Sequence, residues 1–294
     1  NDKKMTYREN YERWLSSDKV DEATKAELRS IADNDEEIRF RFVKDLEFGT
    51  GGLRGTMMAG TNAMNVYTVA HATQGLSDLI NKEGKAEMGV AVGCDSRNNS
   101  RLFAETAARV LAANGIKVHL FPEIEPTPVL SFAVRELHCI AGINITASHN
   151  PKQYNGYKVY DCRGVQVIPE QAARITEQME GVDFFGNPDL PLEAGREAGL
   201  LTEPTGVMDA YCEAKAMLFT RCRHGVVNTD DAYAQKIMAH ATCSLLRYAE
   251  KDSEAELRAE DIELAADHVA FTAKTAHEQA QVRLAIPGGF TVYN

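Results

Sequence analysis

Long apolar runs are absent from the 294-residue sequence. No stretch of 18 apolar residues occurs, so the sequence predicts no membrane-spanning helix. The N-terminal segment NDKKMTYREN lacks the apolar core of a signal peptide. Cysteine is sparse: the six residues are scattered and form no C-x-x-C pair, which argues against a metal cluster or a disulfide framework. We therefore expect free thiols and a cytoplasmic protein.

Basic residues are in the minority. Lys and Arg number 32 against 43 Asp and Glu, and the formal net charge is −11. This balance argues against a protein that binds nucleic acid through charge, and no basic stripe offsets it. Hydrophobic content of 44% and charged content of 26% are typical of a globular chain with a proper core. An acidic protein that handles an anionic substrate must gather its positive groups locally.

The distribution of Pro and Gly divides the chain. Neither residue occurs before Gly49, and apolar residues at three- and four-residue spacings predict an N-terminal helical extension over 1–46. Residues 186–206 hold three prolines and four glycines, which predicts a linker or loop. Two alanine-rich amphipathic helices are predicted beyond it, so 206–294 is expected to be a mainly helical tail with a possible partner surface. The predicted apolar faces are Ile237, Ala241, Leu245 and Tyr248, and Ile262, Ala265, Val269 and Ala276.

Between these segments, strands alternate with helices. MGVAVGCDSR, IKVHLF and CIAGINITA read as strands, and YNGYKVYDCRGVQV reads as a hairpin. This order predicts a three-layer α/β/α domain over 47–205 with a mostly parallel mixed sheet. Ligands of such sheets bind beyond the carboxyl ends of the strands, and the third strand delivers the chain to Ser148.

The stretch TASHNPKQYNGYKVY, residues 146–160, raises the question of what Ser148 does. A Ser–His dyad with the adjacent His149 is sterically awkward, and no G-x-S-x-G elbow is present, so acyl transfer is disfavoured. A phosphoserine suits the neighbours better, because Lys152 and Lys158 are near in sequence and no acid occurs before Asp161. Each residue alone also has a structural reading, such as a turn or a solvated lysine. Together, at a strand end, they favour a phosphate site.

These motifs resemble those of the α-D-phosphohexomutases, the phosphoglucomutase and phosphomannomutase family. TASHNPKQYNGYKVY is similar to the family's phosphoserine loop. LEFGTGGLRGTMMAGTNAMN, residues 46–65, is similar to the N-terminal segment of members related to phosphopentomutase and glucose-1,6-bisphosphate synthase. The resemblance is dense over about 5–180 and thin to about 211, so it covers the first domain only.

The resemblance implies roles for particular residues. Ser148 would carry the phosphoryl group and, through its phosphate, contact a metal ion. Lys158 would be a general acid or base, and His149 would join Ser148 and Lys158 as a catalytic residue. Arg54 and Asn150 would bind the active-site phosphate. The role of Arg97, in DSR, stays open between phosphate binding and structural support beneath the site.

The same resemblance implies an intramolecular phosphotransferase, an isomerase of carbohydrate metabolism. Its substrate would be a hexose or pentose phosphate, converted through a sugar bisphosphate. Mg²⁺ would be the cofactor, and a glucose 1,6-bisphosphate-type activator would be possible.

Family features of the later domains are missing from the sequence. No D-x-D-x-D loop for Mg²⁺, no G-E-x-[ST]-G-like sugar loop and no Arg- and Ser-rich phosphate loop are found. Two readings therefore remain open. The chain is either a mutase represented by its first domain, or a non-catalytic sugar-phosphate-binding or interaction module derived from that domain.

Overall fold

A computed structural model describes residues 5–49 and 51–293. The chain divides into two compact units, the first ending at Val207 and the second beginning at Met208. No helix in these ranges is both long and apolar enough to cross a membrane. Each unit is described by itself below.

The first unit is built on a six-stranded sheet. Its strands in chain order are β1 (Gly52–Thr56), β2 (Val90–Cys94), β3 (Val118–Leu120), β4 (Ala141–Ile145), β5 (Tyr154–Asp161) and β6 (Leu201–Thr202). Their spatial order is β1-β5-β4-β2-β3-β6. The pairs β4–β2, β2–β3 and β3–β6 are parallel, whereas β5 runs antiparallel to both β4 and β1. The predicted mostly parallel mixed sheet is confirmed.

Helices cover both faces of this sheet. They are α4 (Val66–Lys82), α5 (Ser100–Ala113), α6 (Thr127–Glu136), α7 (Pro169–Met179) and α8 (Leu192–Glu197). Successive residues of a strand point to opposite faces. The hydroxyl of Tyr157 in β5 accepts a hydrogen bond from Thr73 in α4, whereas Asn144 in β4 donates to Thr127 in α6. Since Asn144 lies beside Ile145, which is directly opposite Tyr157, the two helices lie on opposite faces. The unit therefore has three layers.

The N-terminal extension is helical, as its apolar spacing predicts. It contains α1 (Tyr7–Ser16), α2 (Glu22–Ser30) and α3 (Asp35–Phe42). Trp14 is 1% exposed at the centre of an aromatic cluster. Its ring centroid lies 5.7 Å from that of Phe42, 5.1 Å from that of Tyr67 in α4 and 5.4 Å from that of Phe185. These edge-on contacts fasten the extension to the three-layer domain.

The second unit corrects the prediction of a mainly helical tail over 206–294. Only two α-helices occur among the residues described there, α9 (Val207–Ala216) and α10 (Ala234–His240). The rest forms a five-stranded sheet. Its strands are β7 (His224–Asn228), β8 (Ser244–Ala249), β9 (Leu257–Leu264), β10 (Val269–Lys274) and β11 (Gln279–Leu284), in the order β11-β10-β9-β8-β7.

The physical reason for this error is the chemistry of the turns. β9, β10 and β11 form antiparallel hairpins whose turns contain neither Gly nor Pro. Ala265 N–H donates to the carbonyl of His268 in the first turn, and Thr275 N–H donates to that of Glu278 in the second. The hydroxyl of Thr275 also accepts from the N–H groups of His277 and Glu278. In the second turn, a side-chain oxygen that accepts backbone hydrogen bonds therefore stabilises the reversal without a glycine.

Truncation of Trp14 tests the attachment of the extension. We expect Trp14→Ala to lower the free energy of unfolding by about 3–5 kcal/mol, because the change empties the centre of a buried aromatic cluster. Phe40→Ala is the matched control: Phe40 is 53% exposed, and surface substitutions change stability by about 0.5 kcal/mol or less. Denaturant unfolding followed by far-UV circular dichroism is the measurement, since Trp14 is the single tryptophan. Equal losses in the two variants would contradict the packing role.

Candidate active site

The loop after β4 carries Ser148. The strand ends at Ile145, and Ser148 follows with φ at 54°, in the left-handed region that non-glycine residues rarely occupy. The hydroxyl of Thr146 accepts a hydrogen bond from Ser148 N–H at 3.0 Å, and Asn150 N–H donates to the carbonyl of Ala147 at 3.1 Å. The Ser148 side chain is thereby exposed at the carboxyl edge of the sheet, as the strand order predicts.

Arg97 binds the backbone of this loop. Its Nη2 donates to the carbonyls of Ser148 at 2.6 Å and Asn150 at 2.7 Å. Its Nη1 donates to the carbonyls of Pro151 at 3.1 Å and Tyr154 at 3.2 Å. Of the two roles left open for Arg97, these contacts favour structural support beneath the site.

Asp95 supports Arg97 from the end of β2. One carboxylate oxygen of Asp95 accepts from the Ser100 hydroxyl at 2.8 Å and from Arg97 N–H at 3.0 Å. The other lies 3.5 Å from Nε of Arg97. The Asn155 amide, which is buried in β5, donates to Ser100 Oγ at 3.0 Å. This network links the start of α5, the Ser148 loop and β5.

Lys158 contacts Ser148 directly. It lies in β5 opposite Asn144 of β4, and its Nζ donates to Ser148 Oγ at 2.7 Å. Partial burial lowers the pKa of Lys158 below its usual value; the nearby Arg54 cation also lowers this pKa, and Asp95 raises it. A lysine so placed loses its proton more readily than a solvated one, which suits acid–base work at the serine oxygen.

Arg54 reaches the loop from the edge strand β1. It lies opposite Gly156 of β5, and its Nη1 donates to Oδ1 of Asn150 at 3.2 Å, although the two residues are 96 positions apart. Gly156 makes this approach possible. A Cβ there would lie 2.6 Å from the carbonyl oxygen of Thr146 and 3.0 Å from that of Leu53.

The remaining polar residues of the loop stand further from this contact. His149 and Lys152 are both exposed. Lys152 lines an open cleft of about 440 Å³ beside Ser148, together with Asn98 and Ser96. Thus the structure brings Ser148, Lys158, Arg54 and Asn150 together and leaves His149 facing solvent.

The donor set does not fit a Mg²⁺ site. In the described parts of the chain, no cluster of three or more His, Cys, Asp or Glu side chains could hold a metal ion. Asp95 lies near Ser148, but its oxygens are engaged by Ser100 and Arg97. Mg²⁺ demands nearly octahedral oxygen coordination, and Ser148 alone cannot supply it. Carboxylate ligands for the expected ion would have to come from outside the described residues.

Comparison with known sequences gives two family matches. The model for the phosphoglucomutase/phosphomannomutase α/β/α domain I matches residues 45–185. The model for the Mur ligase middle domain matches residues 203–294. The second match was missed by sequence reasoning. Its signal lay in the alternation of apolar residues along VAFTAK and QAQVRL, which is the period of a strand.

Curated relatives match the first part of the chain. The phosphopentomutase of Homo sapiens is 42% identical over 57% of this chain and 29% of its own length. The phosphoglucomutase of Staphylococcus saprophyticus is 40% identical over 51% of this chain and 27% of its own length. The phosphomannomutase of Mycoplasma genitalium is 36% identical, with shares of 57% and 31%. The chain therefore spans less than a third of the length of these relatives.

A solved structure has a similar fold. A phosphoglucomutase/phosphomannomutase family protein from Burkholderia thailandensis matches with a TM-score of 0.50 and 18% identity, over 77% of this chain and 54% of that one. Residues 45–185, which hold the Ser148 loop and β1 to β5, are thus similar to the α/β/α domain I of the phosphoglucomutase/phosphomannomutase family.

Proposed function

We propose that the first unit is the phosphoserine-bearing domain of a phospho-sugar mutase that isomerises a hexose or pentose phosphate. The observation that carries this proposal is the 2.7 Å contact from Lys158 Nζ to Ser148 Oγ in a loop approached by Arg54. The names of the relatives, which include phosphopentomutase, phosphoglucomutase and phosphomannomutase, support the reaction class.

The reaction would begin with a phosphoryl group on Ser148. The bond between phosphorus and Ser148 Oγ breaks, and a bond to a hydroxyl oxygen of the sugar monophosphate forms. The Lys158 ammonium gives a proton to the departing Oγ, and the proton of the sugar hydroxyl restores the ammonium. The resulting sugar bisphosphate turns, and its other phosphate returns to Ser148 by the reverse steps. Positioning and charge stabilisation do most of the work in such transfers.

Arg54 and Asn150 would hold the transferred group. Arg54 is exposed, and its guanidinium already donates to Asn150, so a phosphate on Ser148 could share the same cation. His149 would act as a catalytic residue only if the loop turned its ring from solvent toward substrate. A sugar bisphosphate, such as glucose 1,6-bisphosphate, would prime Ser148. The metal ion would contact that phosphate, but its remaining ligands are not among the described residues, and no step here depends on it.

The alternative is a non-catalytic module that binds a sugar phosphate or a partner. The proposed partner surface on tail helices loses its basis, because half of the eight positions assigned to it lie in β8, β9 and β10. A cytoplasmic location is supported by six free cysteines, three of them buried.

The acid–base role of Lys158 predicts opposite responses to two substitutions. Removal of a neighbouring cation favours the ammonium form, so Arg54→Gln should raise the pKa of Lys158. Removal of a neighbouring anion disfavours that form, so Asp95→Asn should lower it. The pKa can be followed by carbon-13 NMR of the lysine Cε during a pH titration. Arg163→Gln is the control, since Arg163 is exposed and pairs with Asp161. An unchanged pKa of Lys158 in Arg54→Gln would contradict the placement of Arg54 in the site.

Phosphoryl uptake tests the role of Ser148. Incubation with glucose 1,6-bisphosphate labelled with phosphorus-32 should place one labelled group on Ser148, and Ser148→Ala should abolish the label. Ser30→Ala, which alters an exposed serine of α2 outside this cleft, should leave labelling unchanged. Arg54→Ala should slow it about 10²-fold, the loss typical of removing one charge-stabilising donor. Binding of the bisphosphate without covalent label would support the non-catalytic alternative.

Complete isomerisation is a stricter test. We expect the 294-residue chain to give negligible turnover of glucose 1-phosphate or ribose 1-phosphate with Mg²⁺ and catalytic glucose 1,6-bisphosphate. The described residues provide no carboxylate cluster for the ion, and loss of positioning could cost several of the roughly 7–11 kcal/mol that effective molarity supplies. Turnover in the usual range of about 1–10³ s⁻¹ would contradict this expectation and require a metal site elsewhere.

A further inference from the structure

We infer that Arg97 is the positioning residue of the Ser148 loop, an inference that rests on the proposed phosphoryl transfer. Arg97 would set the geometry of the serine and its neighbouring amides without touching substrate.

The guanidinium is fully occupied by protein. Its two Nη atoms have four hydrogens in all, and they make four hydrogen bonds to loop carbonyls, at 2.6, 2.7, 3.1 and 3.2 Å. Nε faces the Asp95 carboxylate at 3.5 Å. The Arg97 side chain is only 14% exposed. No donor is left for a phosphate, so Arg97 differs in kind from the exposed Arg54.

The bound carbonyls determine where the loop amides point. The peptide bonds are trans, and the C=O and N–H of a trans peptide point to opposite sides. Since Arg97 holds the carbonyls of Ser148 and Pro151, the N–H groups of His149 and Lys152 point away from Arg97. Asn150 N–H donates to Ala147 and Pro151 has no N–H, so these two amides are separate donors and not a successive run. Arg97 therefore orients two neutral backbone donors, a kind of group that binds oxyanions.

The same contacts hold Ser148 in its left-handed conformation. A φ of 54° costs free energy for serine and persists where surroundings enforce it. Arg97 binds the carbonyl of Ser148 itself, and Thr146 accepts from its N–H, so the residue is held on both sides. Release of the carbonyl would let Ser148 relax and move its Oγ away from Lys158 Nζ.

Substitution of Arg97 separates positioning from charge. Arg97→Met removes both the hydrogen-bond donors of the guanidinium and its charge. Arg97→Lys keeps the charge, but its ammonium cannot donate to four carbonyls. We expect both to slow labelling of Ser148 by saturating phosphorus-32 glucose 1,6-bisphosphate by about 100-fold, the effect of roughly 1 Å of misplacement. The half-saturating concentration should stay unchanged. Added guanidinium ion should partly restore Arg97→Ala, and sodium chloride at equal concentration should not.

Arg101→Met is the matched control. Arg101 also binds backbone carbonyls, those of Phe121 and Pro122, but in a different loop. Labelling at the wild-type rate in Arg97→Met or Arg97→Lys would overturn the inference, as would a loss as large in Arg101→Met.

A second measurement tests the positioning role of Arg97 even if the chain does not transfer a phosphoryl group. Absence of label in the wild-type chain would refute phosphoryl transfer, but hydrogen exchange would still test the loop. The Asn150 amide, which donates to Ala147, should exchange faster in Arg97→Met and Arg97→Lys than in the wild-type chain, and at the wild-type rate in Arg101→Met. Equal exchange in all four proteins would overturn the positioning role.

Discussion

The candidate site depends on one constraint, the antiparallel placement of β5 between β1 and β4. A strand that runs against its neighbours begins where the parallel strands end. The loop that leaves β4 therefore enters β5 at the same edge of the sheet, and Lys158, ten positions after Ser148, returns to it. β1 adds Arg54 to this edge because Gly156 allows a close backbone approach.

The sequence predicts some parts of this arrangement and not others. Apolar runs of Val and Ile predict β2 and β4, and the order of strands predicts that Ser148 lies at the carboxyl edge. The strand β1 could not be predicted from propensity, because its segment GLRGT is poor in strand-forming residues. It begins at Gly52, with φ of 156°, directly after Gly51, with φ of 87°. Only the resemblance to a family placed Arg54 near the Ser148 loop. The four hydrogen bonds of Arg97 could not be predicted from the sequence, because their acceptors are backbone carbonyls, which every residue has.

In the second unit, alanine residues obscure the hydrophobic periodicity that distinguishes a helix from a strand. Alanine is compatible with a helix face and with a small strand residue, so Ala265 and Ala276 matched a helical spacing although they lie in or beside turns. The positions that indicate a strand are Val269 and Phe271, which are two residues apart in β10 and so follow the period of a strand. Turns closed by Thr275 and by the carbonyl of His268 lacked the glycine that usually marks a hairpin. Absence of Gly and Pro therefore excluded neither strands nor tight turns.

Charge explains why the site suits a phosphorylated serine. In a chain of net charge −11, Arg54 lies close enough to Lys158 to lower its pKa, a repulsion that a phosphate dianion would relieve. A phosphoryl group on Ser148 would therefore raise the pKa of Lys158 and keep it protonated. In the proposed transfer, the charge of the group would move away from Nζ as it passed to the sugar, and that pKa would fall again. The ammonium would become a stronger acid as Oγ became a stronger base, so the departure of the phosphoryl group would itself drive the proton to the serine oxygen.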